Sequence, residues 1–113
     1  MSLELRRIIL ITSNLAEMTA FYRDVVGLVV AGREEGWVDF GAGACALALH
    51  AGKSTIGSRA PKIAFYAADV SAARAALIKR GLIDAGRVNS TDSFDMCDCK
   101  DPDGNRFQIS SRR

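Results

Sequence analysis

Apolar positions along the chain follow two rhythms, one after the other, and the succession occurs twice. Ile8–Ile11 is a largely β-branched apolar run, which predicts a strand. Leu15, Met18, Tyr22 and Val25 then recur at three- and four-residue spacings, with Phe21 beside them, which predicts a helix with one apolar stripe. Asn14 is placed to cap that helix with its side-chain oxygen, and Glu17 completes a capping-box pattern. Gly27 suits the left-handed turn that ends it. The pattern returns 55 residues further on, where Lys62 takes the place of Arg7. Ile63–Tyr66 is the strand, Asp69 the cap, and Val70, Ala73, Leu77 and Ile78 the stripe. The alanine-rich run from Ala72 to Ala76 favours helix by propensity, and Gly81 ends it.

After each helix the pattern changes to short strands. Leu28–Arg33, Trp37–Phe40 and Cys45–His50 are separated by Gly36 and by Gly41-Ala42-Gly43. In the second half Ile83–Asn89, Phe94–Lys100 and Arg106–Ser110 follow, the last two joined by the turn signal Asp101-Pro102-Asp103-Gly104. Residues 51–60, with two Gly and two Ser, read as a linker between modules 1–50 and 61–113. Each module is βαβββ. One such unit leaves a sheet face uncovered, so the expectation is a single α+β domain over 1–113, with eight strands and two helices packed outside.

Size and composition agree with one compact domain: 113 residues, 49% apolar and 25% charged. No apolar run approaches the ~18–20 residues of a membrane span. The start lacks the apolar stretch of a signal peptide, so a cytoplasmic location is the default expectation. A formal net charge of +2 and only 7% aromatic residues argue against a nucleic-acid partner. Arg112-Arg113 reads as a solvated basic tail. The three cysteines, Cys45, Cys97 and Cys99, read as reduced thiols. Cys97 and Cys99 share one face of a strand, and a single histidine, His50, leaves a Cys/His metal set incomplete.

Three stretches carry a family resemblance: Asn14-Leu15 with Phe21-Tyr22 and Gly27-Leu28; Val38-Asp39-Phe40-Gly41 with Ala46-Leu47-Ala48-Leu49; and Asp101-Pro102-Asp103-Gly104-Asn105 with Phe107-Gln108-Ile109. In order and spacing they resemble the glyoxalase/bleomycin resistance/extradiol dioxygenase superfamily, the vicinal oxygen chelate proteins. The resemblance covers nearly the whole chain. It implies that the two modules form a curled mixed sheet around a cleft, and that two chains pair as a homodimer. In metal-dependent members the ligands come from the first and fourth strands of each module. Those positions fall here on Arg7, Ala48, Lys62 and Gln108, of which only Gln108 offers a donor to a divalent cation. The expectation is therefore no metal and no cofactor.

Strand alternation defines the cleft face. Arg7, Ile9 and Ile11 share it with Ala46, Ala48 and His50; Lys62, Ala64 and Tyr66 share it with Arg106, Gln108 and Ser110. Arg7 and Lys62 either attract an anionic ligand or take a bland role, neutralised by acids such as Asp39, Asp95 or Asp98 or solvated at the cleft rim. His50 and Tyr66 are the candidate acid/base groups, His50 because an unperturbed imidazole titrates near neutrality. The opposing reading makes His50 a surface or packing residue. Trp37 and Tyr66 offer flat apolar walls to a ligand, and Trp37 equally suits a subunit contact. Three functions follow. The first is a metal-free protein binding a small molecule, anionic where Arg7 and Lys62 attract one, through Arg7, Trp37, His50, Lys62, Tyr66 and Gln108. The second is a superfamily enzyme, lyase or dioxygenase, with a non-standard metal or acid/base set. The third is an accessory domain with a vestigial cleft.

Overall fold

The computed structural model describes residues 2–113 and contains two βαβββ units, dividing between Thr55 and Ile56. The first unit comprises β1 (Arg7–Thr12), α1 (Leu15–Ala20), β2 (Val29–Glu34), β3 (Trp37–Ala42) and β4 (Cys45–Ala51). The second comprises β5 (Ile63–Tyr66), α2 (Val70–Lys79), β6 (Ala85–Ser90), β7 (Asp95–Lys100) and β8 (Arg106–Ser110). Each unit builds one four-stranded mixed sheet, in the order β1-β4-β3-β2 and β5-β8-β7-β6. The first and last strands of each unit run parallel; the other pairs are antiparallel. The α+β architecture of eight strands and two helices is the one the hydrophobic pattern predicts.

The alternation of burial along β1 and β5 shows why the sheets form. In β1, Ile8 and Leu10 turn toward the packed face, while Arg7, Ile9 and Ile11 stay exposed. On the packed side of the first sheet Val38, Phe40, Leu47 and Leu49 lie in the core with Met18 and Tyr22. In the second unit Val70, Leu77, Cys97, Cys99, Phe107 and Ile109 form the equivalent core.

Four local features differ from the pattern-based expectation. Asn14 occupies the N-cap position but makes no side-chain cap hydrogen bond. The hydroxyl of buried Thr12 instead accepts the Asn14 N–H at 2.9 Å, drawing the chain into the helix from the preceding strand. α1 widens into a π-helical turn over Phe21–Val26 before Gly27 closes it at φ 90°. The wider turn brings the adjacent rings of Phe21 and Tyr22 inward together, edge to face at 5.2 Å. β6 starts at Ala85, leaving Ile83 exposed, because its ladder with β7 begins at the Ala85–Cys99 pair. Phe94 lies before β7, in a turn where the Thr91 hydroxyl accepts the N–H groups of Ser93 and Phe94.

The other capping residues behave as their chemistry dictates. Asp69 accepts the Ala72 N–H at 2.9 Å. Buried Asp101 accepts from the Asp103 and Asn105 N–H groups and from the Asn105 side-chain amide, while Gly104 takes φ 90°.

Candidate functional site

Each sheet turns one face away from its helix, and the strand register decides what meets there. In the first unit Arg7 lies opposite Ala46, Ile9 opposite Ala48 and Ile11 opposite His50. Across β4 the same residues face Gly41, Asp39 and Trp37. Arg7 therefore reaches Asp39 only by crossing β4, where alanines leave room for a guanidinium. The pair is bidentate: Arg7 Nε donates to Asp39 Oδ1 at 3.0 Å and Nη2 to Oδ2 at 3.1 Å. The hydrogen bonds Arg7 donates to Asp39, then the negative charge of that carboxylate, hold the Arg7 pKa above its ordinary value. Arg7 also lies 6.0 Å from the centre of the Trp37 ring. Trp37 in turn meets exposed His50 edge to face at 5.7 Å. Four of the residues singled out in the sequence, or named as their partners, thus share one patch.

The second sheet repeats this arrangement with different residues. Lys62, just before β5, places its ammonium 3.1 Å from both carboxylate oxygens of Asp98 on β7. Gln108 lies between them on β8, opposite Asp98 in the ladder. Its amide donates to Asp98 Oδ1 at 3.1 Å. Tyr66, opposite Ser110, is half exposed. It borders a concavity of about 280 Å³ lined also by Ala64, Gln108, Ser110, Arg112 and Arg113.

Of the two roles open to Arg7 and Lys62, the structure therefore places both against acids, Asp39 and Asp98; Asp95 takes neither. Sequence reasoning missed Arg112 and Arg113. They are not a detached tail: the Arg112 guanidinium sits 5.1 Å over Phe94 and that of Arg113 5.0 Å over Tyr66. No periodicity signals such seats, because both rings are reached only once β5, β7 and β8 are assembled. The Cys97 and Cys99 sulfurs lie 3.8 Å apart in the core, with Cys97 donating to the Gly86 carbonyl.

The four positions where metal-dependent relatives carry ligands hold a clamped guanidinium, a methyl group, a clamped ammonium and an amide committed to a carboxylate. A divalent cation needs several converging donors, from His, Cys, carboxylate or amide carbonyl groups, and these four positions supply one amide. Among the described residues no three His, Cys, Asp or Glu side chains gather in that way. The residues at these positions do not fit a divalent metal. The geometry offers instead polar patches flanked by aromatic rings. No helix among the described residues is long and apolar enough to cross a membrane.

A βαβββ unit built twice, with one face of each sheet turned away from its helix, defines a two-module α+β class. The family model of the Glyoxalase/Bleomycin resistance protein/Dioxygenase superfamily matches residues 4–109, and the chain belongs to that superfamily. Among solved structures it resembles a glyoxalase/bleomycin resistance protein/dioxygenase from Nocardioides, with a TM-score of 0.82 at 17% identity over 97% of this chain and 83% of that one. A lactoylglutathione lyase from Agrobacterium tumefaciens aligns with a TM-score of 0.74 at 21% identity, over 95% and 92% of the two chains. At these identities the likeness is one of fold. No curated protein sequence matches significantly.

Proposed function

We propose that this chain is a small-molecule binding member of its superfamily, working without a resident metal or cofactor and as a homodimer in a reducing compartment such as the cytoplasm. One observation carries the reading. In each unit the cation at the start of the sheet is locked to an acid on the third strand of the sheet, Arg7 to Asp39 and Lys62 to Asp98. Such a clamp sets a cation beside each acid, and among the described residues no three His, Cys, Asp or Glu side chains gather there to hold a metal. Around the clamps, Trp37 and His50 on one sheet and Tyr66 and Gln108 on the other supply flat walls and hydrogen-bonding groups. A binding site needs little more than an apolar surface and a few fixed polar anchors.

Elemental analysis of the purified protein tests the metal clause, followed by zinc or nickel add-back with a dicarbonyl–thiol adduct as substrate. The expected result is no stoichiometric metal and no turnover. Binding is tested by the emission of Trp37, the sole tryptophan, across a library of small molecules. At least one should change the emission and raise the melting temperature. Stoichiometric metal with turnover would establish the lyase reading that the Agrobacterium structure prompts, and would overturn ours.

A further inference from the structure

We infer that the concavity beside Tyr66 selects a small planar molecule carrying an oxyanion, a carboxylate or a phosphate ester, and that Arg112 and Arg113 read its charge. This deepens the binding reading above and rests on it. The argument begins with the charges around the concavity. Lys62 is cancelled by Asp98, both of whose oxygens it contacts at 3.1 Å, and Gln108 donates to the same carboxylate. The attraction for an anion therefore does not come from the lysine. Arg112 and Arg113 also line the space. Their guanidiniums are held over Phe94 and Tyr66 at 5.1 and 5.0 Å, and neither forms an ion pair among the described residues. Two cations seated over aromatic rings and outside any ion pair have guanidinium N–H groups to offer a carboxylate or phosphate.

The remaining lining completes the match. Ala64 and the Tyr66 ring give an apolar floor, and the Ser110 hydroxyl and the Gln108 amide oxygen, whose nitrogen is engaged by Asp98, give hydrogen-bonding groups. The volume of about 280 Å³ lies just under the ~300–1,000 Å³ range of drug-sized ligand sites, which suits a ligand no larger than a simple aromatic acid. The Ser110 hydroxyl accepts the Arg112 backbone N–H at 3.0 Å, tying the arginine segment to the end of β8.

Calorimetry on the full chain with benzoate, phenyl phosphate and neutral benzamide tests the inference. The anions should bind at least about tenfold more tightly than benzamide, a factor that corresponds to one charged hydrogen-bond pairing. The double variant R112Q/R113Q should lose about tenfold in affinity for both anions and keep its affinity for benzamide. R33Q, an arginine of the other unit, should bind like the parent, and circular dichroism should show all variants folded. A preference for benzoate over phenyl phosphate, or the reverse, identifies which oxyanion the site takes. Equal affinity for benzoate and benzamide, undiminished anion binding in R112Q/R113Q, an equal loss in R33Q, or no anion binding by about 10 mM each overturns the inference. Those failures leave the metal analysis and the Trp37 screen untouched, so the binding reading stands or falls separately.

Discussion

Arg7 bears a full charge yet presents little of it, because Asp39 meets its guanidinium edge-on through two hydrogen bonds. Removing the acid should release that charge beside Trp37. In D39N, quenching of Trp37 by iodide is expected to strengthen, while quenching by neutral acrylamide stays as in the parent; equal changes for both would show a general loosening of the sheet. The thiols respond to their surroundings differently. Burial above all, and then neighbouring Cys97, pushes the Cys99 thiol up to about 12 from an ordinary value of 9.0. The sign follows: the folded state keeps its proton where the unfolded chain loses one. The contribution of Cys99 to stability is thus complete below pH 9 and is lost as the pH rises toward 12. Denaturation midpoints across that range should fall less steeply in C99A. A thiol reagent at pH 8 should find one reactive cysteine, partly exposed Cys45, in the native protein and all three in denaturant. The sequence shows which side of its strand each of these residues takes. Which acid pairs with which cation depends on the alignment of β3 with β4 and of β7 with β8, and strand alternation carries no information about that alignment.

At the scale of elements, the β6–β7 ladder shifts register between Ala85 and Val88, and Gly86 lies in that irregular stretch. A Cβ built there would approach the Asp98 carbonyl oxygen to 2.7 Å, too close for any side chain, and the obstacle is backbone. Gly86→Ala should force β6 away from β7 and disturb the Cys97 hydrogen bond to the Gly86 carbonyl, at a cost of about 1–3 kcal/mol measured by chemical denaturation. Removing the cap in D69A should cost about 0.5–2 kcal/mol, since the Ala72 N–H would lose its acceptor. The strands and α2 were legible because apolar period and turn residues agree there. The π-helical turn of α1 was not. Leu15, Met18, Tyr22 and Val25 give the same spacing for an ordinary helix, and nothing in that spacing marks the wider turn in which Phe21 and Tyr22 are both buried.

For the whole molecule, the repeat is one of pattern more than of residues. The same clamp is built from arginine in one unit and lysine in the other, with an alanine and a glutamine respectively at the fourth-strand position. Such replacements explain why the fold could be read from the chain while its ligand chemistry could not: the architecture depends on apolar alternation, and the chemistry on a few positions free to diverge. The proposed pairing of two chains predicts a sedimenting species of twice 12.1 kDa at micromolar concentration, and a species of 12.1 kDa would exclude it. One neighbourly contact bears on how every solution study of this protein is interpreted. The indole of Trp37 rests edge to face against the His50 ring, with the Arg7 guanidinium 6.0 Å from its centre. Whatever displaces either neighbour changes indole light, so the molecule carries its own gauge of that patch. A titrant that settles elsewhere and leaves both side chains in place stays dark to it, so silence in brightness has to be checked against the melting temperature before an occupant is denied.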